Sequence, residues 1–202
     1  MIERYTTKEL RTVWTDSNRF AVWTKVEMAV VAAYERKGVI SKGVTKRLEN
    51  KIKNLDFVSL SGQIKKNEEI SKHDVIAFLT ALEDNLGEES RHIHFGMTSS
   101  DVVDTAFALQ LKEATLKLYS RIQILTQSLW KKACDYKSLA TLGRTHGQVA
   151  EITSFGLKIL SFVAEMKRNE ARLLNAVENI SYGKISGAVG NYGNCDPNIE
   201  QE

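Results

Sequence analysis

Proline is nearly absent from this sequence of 202 residues: it occurs once, at Pro197. Nothing before that position forbids an uninterrupted helix, so long helices are open through the body of the chain. Cysteine is almost as scarce. Cys134 and Cys195 lie far apart and form no Cys-x-x-Cys pair, which argues against a disulfide framework or a cysteine-based zinc site. No apolar run reaches the length needed to span a bilayer, and Met1-Ile2-Glu3-Arg4-Tyr5 lacks the apolar stretch of a signal peptide. A cytoplasmic location, with no membrane partner, is therefore expected. A block of one charge sign is missing too. The 28 basic and 25 acidic residues are interspersed, and none of the basic ones gather into a nucleic-acid-binding arm. A formal net charge of +3 would suit an anionic small molecule without establishing one.

What the sequence has in quantity is helical periodicity. Phe20, Trp23, Val26, Val30 and Tyr34 recur at spacings of three and four, which predicts a helix over about 16–37, ended by Gly38. Ser41 is expected to cap a short polar helix reaching Lys53. Further helices are predicted over about 56–69 and 73–86, the second stopped by Gly87. Two much longer stretches follow. Over 101–137, Leu111, Ala114, Leu118, Ile122, Leu125, Leu129 and Ala133 form a stripe, while Val102, Phe107, Leu109, Leu116 and Tyr119 lie off it. A helix apolar on more than one face packs on several neighbours. Over 151–179, Phe155, Ile159, Phe162, Met166, Leu173 and Val177 repeat the pattern, which Ile180 continues just beyond. Joined by the compact segment 141–148, the two should lie antiparallel in an elongated bundle.

Asp196-Pro197 reads as an N-cap followed by proline at the first helical position, with Glu200 and Glu202 adding negative charge. A single helical turn gains little stability alone, so the chain is expected to be truncated. The fold expected is all-α: a small helical domain over 1–97, then over 98–202 the first, incomplete part of a central bundle of long helices.

Histidine suits acid–base work near neutral pH, and His73, His92, His94 and His146 all fall in short polar or glycine-bearing connections. Any of them could equally be a surface or hydrogen-bond-satisfied side chain. His92 and His94 would point apart on a helix and have no acidic or thiol partner at a familiar spacing, so no metal is expected. In His94-Phe95-Gly96-Met97-Thr98-Ser99-Ser100-Asp101, Thr98 and Asp101 fit a capping box. That is either only a good helix start or an anion site, where free N–H groups and three hydroxyls face a carboxylate or phosphate. Gly143-Arg144-Thr145-His146-Gly147-Gln148 reads as a tight turn between two helices that presents Thr145 and His146, or as a plain loop. Lys72-His73-Asp74 opens a helix to which Asp74 could simply lend first-turn charge, and Arg4-Tyr5 could be no more than a chain end. The run from Gly183 to Gly190 has no preceding strand and no Gly-Lys-Ser/Thr ending, which argues against a nucleotide P-loop.

In order and spacing, these segments resemble the adenylosuccinate lyase family of the fumarase/aspartase superfamily, over the whole chain. The Thr-Ser-Ser-Asp motif at Thr98–Asp101 and Thr145-His146-Gly147 point to the superfamily. Arg4-Tyr5 and Lys72-His73-Asp74-Val75 narrow it to this branch, with Gly183-Lys184-Ile185-Ser186-Gly187-Ala188-Val189-Gly190 in keeping. The resemblance implies β-elimination of fumarate from adenylosuccinate, giving AMP, and from the succinyl-carboxamide intermediate of purine synthesis, giving AICAR. It implies His146 as the general acid. Arg4, Tyr5, Lys72, His73 and Asp74 would hold the nucleotide, Thr98 and Ser99 a carboxylate of the succinyl group, with His94 close by and Thr145 in contact. The family's general base is a serine in a loop after a Met-Pro-x-Lys-x-Asn signature, which this sequence does not contain. No cofactor is implied, and the assembly implied is a homotetramer with sites shared among three subunits. Ile152 departs from the family, standing where many relatives carry a proline that would preset the first turn of the second long helix. Two other readings remain: a carboxymuconate-cycloisomerase-like or argininosuccinate-type lyase, and a non-catalytic helical oligomerisation module.

Overall fold

The computed structural model describes residues 2–202, apart from the side chain of Glu3. Besides short 3-10 turns at Glu3–Tyr5 and Gly87–His92, its elements are α1 (Lys8–Val13), α2 (Asp16–Arg36), α3 (Val44–Ile52), α4 (Phe57–Ser71), α5 (Asp74–Leu86), α6 (Ser99–Asp135), β1 (Ala140–Thr145), β2 (Gln148–Ser154), α7 (Phe155–Ile180) and α8 (Pro197–Glu200). The all-α expectation holds, with one small antiparallel hairpin added. The chain divides into two compact units, Met1–Leu111 with Ser181–Glu202, and Lys112–Ile180.

The first unit is built around α2. Its apolar spacing buries Phe20, Trp23, Val30, Val31 and Tyr34, while α5 supplies Val75, Phe78, Leu82 and Leu86. Phe20 stacks on Phe78 with ring centroids 5.9 Å apart, and Trp23 meets both edge-on. The first turns of α6 belong to the same core through Val102 and Ala106, and the returning segment adds Ile185, Cys195 and Ile199. The boundary expected near residue 98 marks the start of the long helix, whereas the compact unit runs three turns into it.

Local chemistry sets the helix starts. The Thr15 hydroxyl accepts the Asn18 N–H, the Asp56 carboxylate those of Val58 and Ser59, and Asp196 that of Asn198. Helix α3 differs from expectation. It begins after Gly43, at φ +88°, and Ser41 does not cap it. Glycine has no side chain to offer, so Glu35 of α2 reaches across and accepts the N–H groups of Gly43 and Thr45, each at 2.7 Å. The bonds from Thr45 and Gly43 hold the Glu35 carboxyl at about 2, well below its ordinary range.

In the second unit, the segment expected to be a turn and the start of a helix is a hairpin. Leu142 pairs with Ile152 and Thr145 with Gln148, with an irregularity between Leu142 and Arg144. A side chain at Gly143 would press on the Glu151 carbonyl oxygen, which explains the glycine at that irregularity. His146 and Gly147 occupy the two-residue turn with φ of +50° and +74°. Two consecutive positive φ values are what a type I′ hairpin turn requires. Ile152 therefore lies in a strand, where a proline would preset no helical turn. Helix α7 starts four residues later than expected, at Phe155, where the Ser154 hydroxyl accepts the Leu157 N–H.

Gly156 lets α7 approach α6 closely: a Cβ there would fall 2.3 Å from the Ala133 carbonyl oxygen. Further along, Thr126 stands beside Glu170. The partners advance in opposite directions, so the two helices run antiparallel, as expected. The 37 residues of α6 make it about 55 Å long. Among the described residues, no helix is long and apolar enough to cross a membrane.

Candidate functional site

Thr98 immediately precedes α6, and the capping box forms in part. The Thr98 N–H donates to the Asp101 carboxylate at 3.0 Å, and the Asp101 N–H returns to the Thr98 carbonyl oxygen. The Asp101 side chain is fully buried. It also accepts the Gly187 N–H, 3.2 Å from each oxygen, and the Lys184 ammonium. Lys184 donates further to the Gly187 carbonyl oxygen at 3.0 Å and lies 3.4 Å from the Ser100 hydroxyl. Its backbone is clipped to Thr105: the Lys184 N–H donates to the threonine hydroxyl, which donates to the Lys184 carbonyl oxygen. The glycine-rich segment is thus folded over the start of α6.

This arrangement leaves Thr98 and Ser99 unengaged. Both are half-buried, and neither hydroxyl has a hydrogen-bond partner among the described residues. The first N–H groups of a helix have no intrahelical acceptor, and the helix dipole is positive there. A carboxylate would find donors of the right kind at this point.

The preceding connection is held by α2. The Tyr34 hydroxyl donates to the Phe95 carbonyl oxygen at 3.0 Å, and burial pushes its pKa up. Gly96 has φ +72°, and a Cβ there would lie 2.4 Å from the Asn194 carbonyl oxygen, so only glycine fits. His94 is clamped by Glu27. Its backbone N–H donates to Oε2 at 2.8 Å, and its Nδ1 lies 2.7 Å from Oε1.

Lys72 and His73 join α4 to α5. Lys72 closes α4 at φ +53°, its N–H donating to the Glu68 carbonyl oxygen. His73 is the N-cap of α5, its Nδ1 lying 3.5 Å from the Ile76 backbone nitrogen. Asp74 accepts the Val75 N–H and lies 3.4 Å from the same nitrogen. Arg4 and Tyr5 form an exposed pair in a short 3-10 turn, the guanidinium 4.6 Å from the ring centroid and bonded to the hydroxyl at 2.6 Å. Thr145 and His146 stand exposed at the hairpin tip of the second unit.

The structure therefore unites His94, Thr98 and Ser99 on one connection, with Lys72–Asp74 and Arg4–Tyr5 as separate clusters of the same unit. Among the described residues, no hydrogen bond or ion pair joins the three. Sequence reasoning missed Glu27 and the role of Lys184. Glu27 left a signal, as the one acidic residue on the face that α2 buries. Lys184 left none, because its partner lies 83 positions away.

The family model described as Lyase matches residues 3–202. Adenylosuccinate lyase of Thermotoga maritima is 48% identical over 202 residues, covering 100% of this chain and 46% of the relative. Adenylosuccinate lyase of Aquifex aeolicus is 44% identical, with the same coverage of each chain. The chain thus spans less than half the length of these curated relatives. Among solved structures, a fumarate lyase from Mesorhizobium sp. BNC1 superposes with a TM-score of 0.87 at 22% identity, over 95% of this chain and 46% of that one. The 3-carboxy-cis,cis-muconate lactonizing enzyme from Pseudomonas putida gives 0.82 at 22% identity, over 94% and 43%. At that identity the two structures speak to the fold alone.

Proposed function

The chain belongs to the lyase family whose model matches it over residues 3–202, and on that premise we propose that it supplies part of the active site of an adenylosuccinate lyase. The reaction is β-elimination. A base removes a proton from the carbon next to one carboxylate of the succinyl group, the C–N bond breaks, and its electron pair leaves with nitrogen. The products are fumarate and AMP, or AICAR from the succinyl-carboxamide substrate. His146 donates the proton that the departing nitrogen needs, and a serine outside this sequence acts as base.

The observation that carries this reading is the start of α6, where two free hydroxyls and unpaired N–H groups are held in place by the buried Asp101. Thr98 and Ser99 bind a carboxylate of the succinyl group there, beside His94. Arg4, Tyr5, Lys72, His73 and Asp74 serve the nucleotide, and Thr145 the substrate near His146. This chemistry calls for no metal or redox cofactor. The full protein works as a cytoplasmic homotetramer with shared sites.

The test is fumarate titrated into the purified chain and followed by amide NMR. Shifts are expected at Thr98–Asp101, and Thr98→Val should weaken binding about tenfold, the equivalent of one lost hydrogen bond to a charged group. Unaltered fumarate affinity in a folded Thr98→Val variant would remove this helix start from the site.

A further inference from the structure

Glu27 lies on the face of α2 that also buries Trp23, Val30, Val31 and Tyr34, and its side chain has no access to solvent. An ionised carboxylate in such surroundings is costly unless hydrogen bonds compensate it. Both of its oxygens are spent on one residue. Oε2 takes the backbone N–H of His94 and Oε1 faces the His94 Nδ1. His94 itself sits at φ +64°, a region that residues with a Cβ seldom occupy. The backbone bond to Glu27 secures that conformation, and the ring bond settles where the imidazole points.

A carboxylate can only accept. Facing it, Nδ1 must carry a proton whether the ring is neutral or charged. Among the described residues Nε2 makes no hydrogen bond, and 18% of the His94 side chain remains open to solvent. We propose that Glu27 is the positioning residue for His94: it locks the ring with its proton on Nδ1 and leaves Nε2 as the one nitrogen free to meet a substrate carboxylate. The same pairing of an imidazole with a carboxylate behind it orients histidines at many reactive sites. This inference deepens the proposed function and rests on it for the identity of the ligand, while the state of the ring stands on the geometry alone.

The experiment is long-range proton–nitrogen NMR on the purified chain with labelled histidine, the His94 signals being assigned by their loss in His94→Asn. The neutral ring is expected to show a protonated Nδ1 and a bare Nε2. A neutral ring protonated on Nε2 would overturn the proposal, and that measurement needs no variant. Glu27→Gln provides the second arm. Glutamine offers one acceptor and one donor where two acceptors stood, so it cannot serve the backbone N–H and Nδ1–H together. Its oxygen is expected to keep the backbone bond and its amide to face Nδ1, driving the neutral ring to the Nε2–H form. A folded Glu27→Gln chain with unchanged His94 nitrogen signals would also overturn the proposal. Fumarate added to the wild-type sample should move the Nε2 signal. The expected tautomer without that movement would support the hold of Glu27 on the ring and count against His94 as part of the fumarate site.

Discussion

Asp101 gathers three donors from two segments of the chain: the Thr98 N–H, and the Gly187 N–H and Lys184 ammonium of the glycine-rich segment. Removing its charge leaves those donors turned inward with a weaker acceptor, or none. Asp101→Asn is expected to lower stability by about 2–4 kcal/mol, the range for breaking a buried, hydrogen-bonded charge. Urea denaturation would measure the loss, and faster amide exchange at Gly187 would locate it. Lys184→Met should cost much less, about 1 kcal/mol or below, because 39% of that side chain is open to solvent. Equal losses in the two variants would mean that the ion pair, and not the carboxylate's bonds to the backbone, holds the glycine-rich segment down. At this scale the sequence was legible where the partners are close neighbours. Thr98 and Asp101 announce a cap by spacing alone. The pairings of Lys184 with Asp101 and of Glu27 with His94 depend on which distant segments the fold brings together, and no local pattern encodes them.

The start of α3 shows an element held by a neighbour. With Gly43 at its head, the helix relies on Glu35, whose pKa falls from an ordinary 4.5 to about 2 because the N–H groups of Thr45 and Gly43 favour the ionised form. The sign of the pH effect follows from linkage. The folded state holds its proton less tightly than the unfolded chain, so the contribution of Glu35 is complete above about pH 4.5 and is lost as pH falls through the folded value near 2. Exchange of the Gly43 and Thr45 amides, corrected for intrinsic rate, should therefore accelerate between pH 4.5 and 2. In Glu35→Gln it should be faster already at neutral pH and show no such step. A wild-type profile flat across that window would exclude the Glu35 cap.

The same contrast between local and distant signals explains which elements the sequence announced. Helices α2, α4, α5 and α6 were legible because their apolar residues repeat at short range. The hairpin was not: Val149 and Ile152 fit a helical spacing as well as a strand, and pairing of Leu142 with Ile152 is a contact across the chain. One local signal was there to use. A histidine followed by glycine, flanked by Thr145 and Gln148, suits a two-residue turn with two positive φ values better than it suits a link between helices.

The second unit poses a question that it cannot answer alone. Helices α6 and α7 bury Ala133, Gly156, Ile159 and Val163, yet Leu118, Leu125, Trp130, Leu157, Phe162 and Leu174 are exposed on them. Apolar surface of that extent calls for a partner. In the homotetramer of the proposed function, the long helices of several copies would cover one another in a central bundle, and each active site would draw on more than one chain. His146, at the hairpin tip of this unit, would then meet a serine from another copy. Two inactive variants of the complete protein test this. On the proposed assignment His146→Ala removes the acid, and it should lower kcat by about 10²–10⁴ with little change in KM, because the proton is needed mainly in the transition state. An alanine in place of the loop serine removes the base. Dissociated, mixed and reassembled, the two variants form hybrids in which some sites combine an intact His146 with an intact serine. Those sites should turn over, so part of the wild-type activity returns, whereas either variant reassembled alone stays inactive. Sites built from a single chain would give the opposite result, because every site in a hybrid would still carry one defect. Verified hybrids as inactive as their parents would therefore place His146 and the serine on the same chain and end the shared-site model.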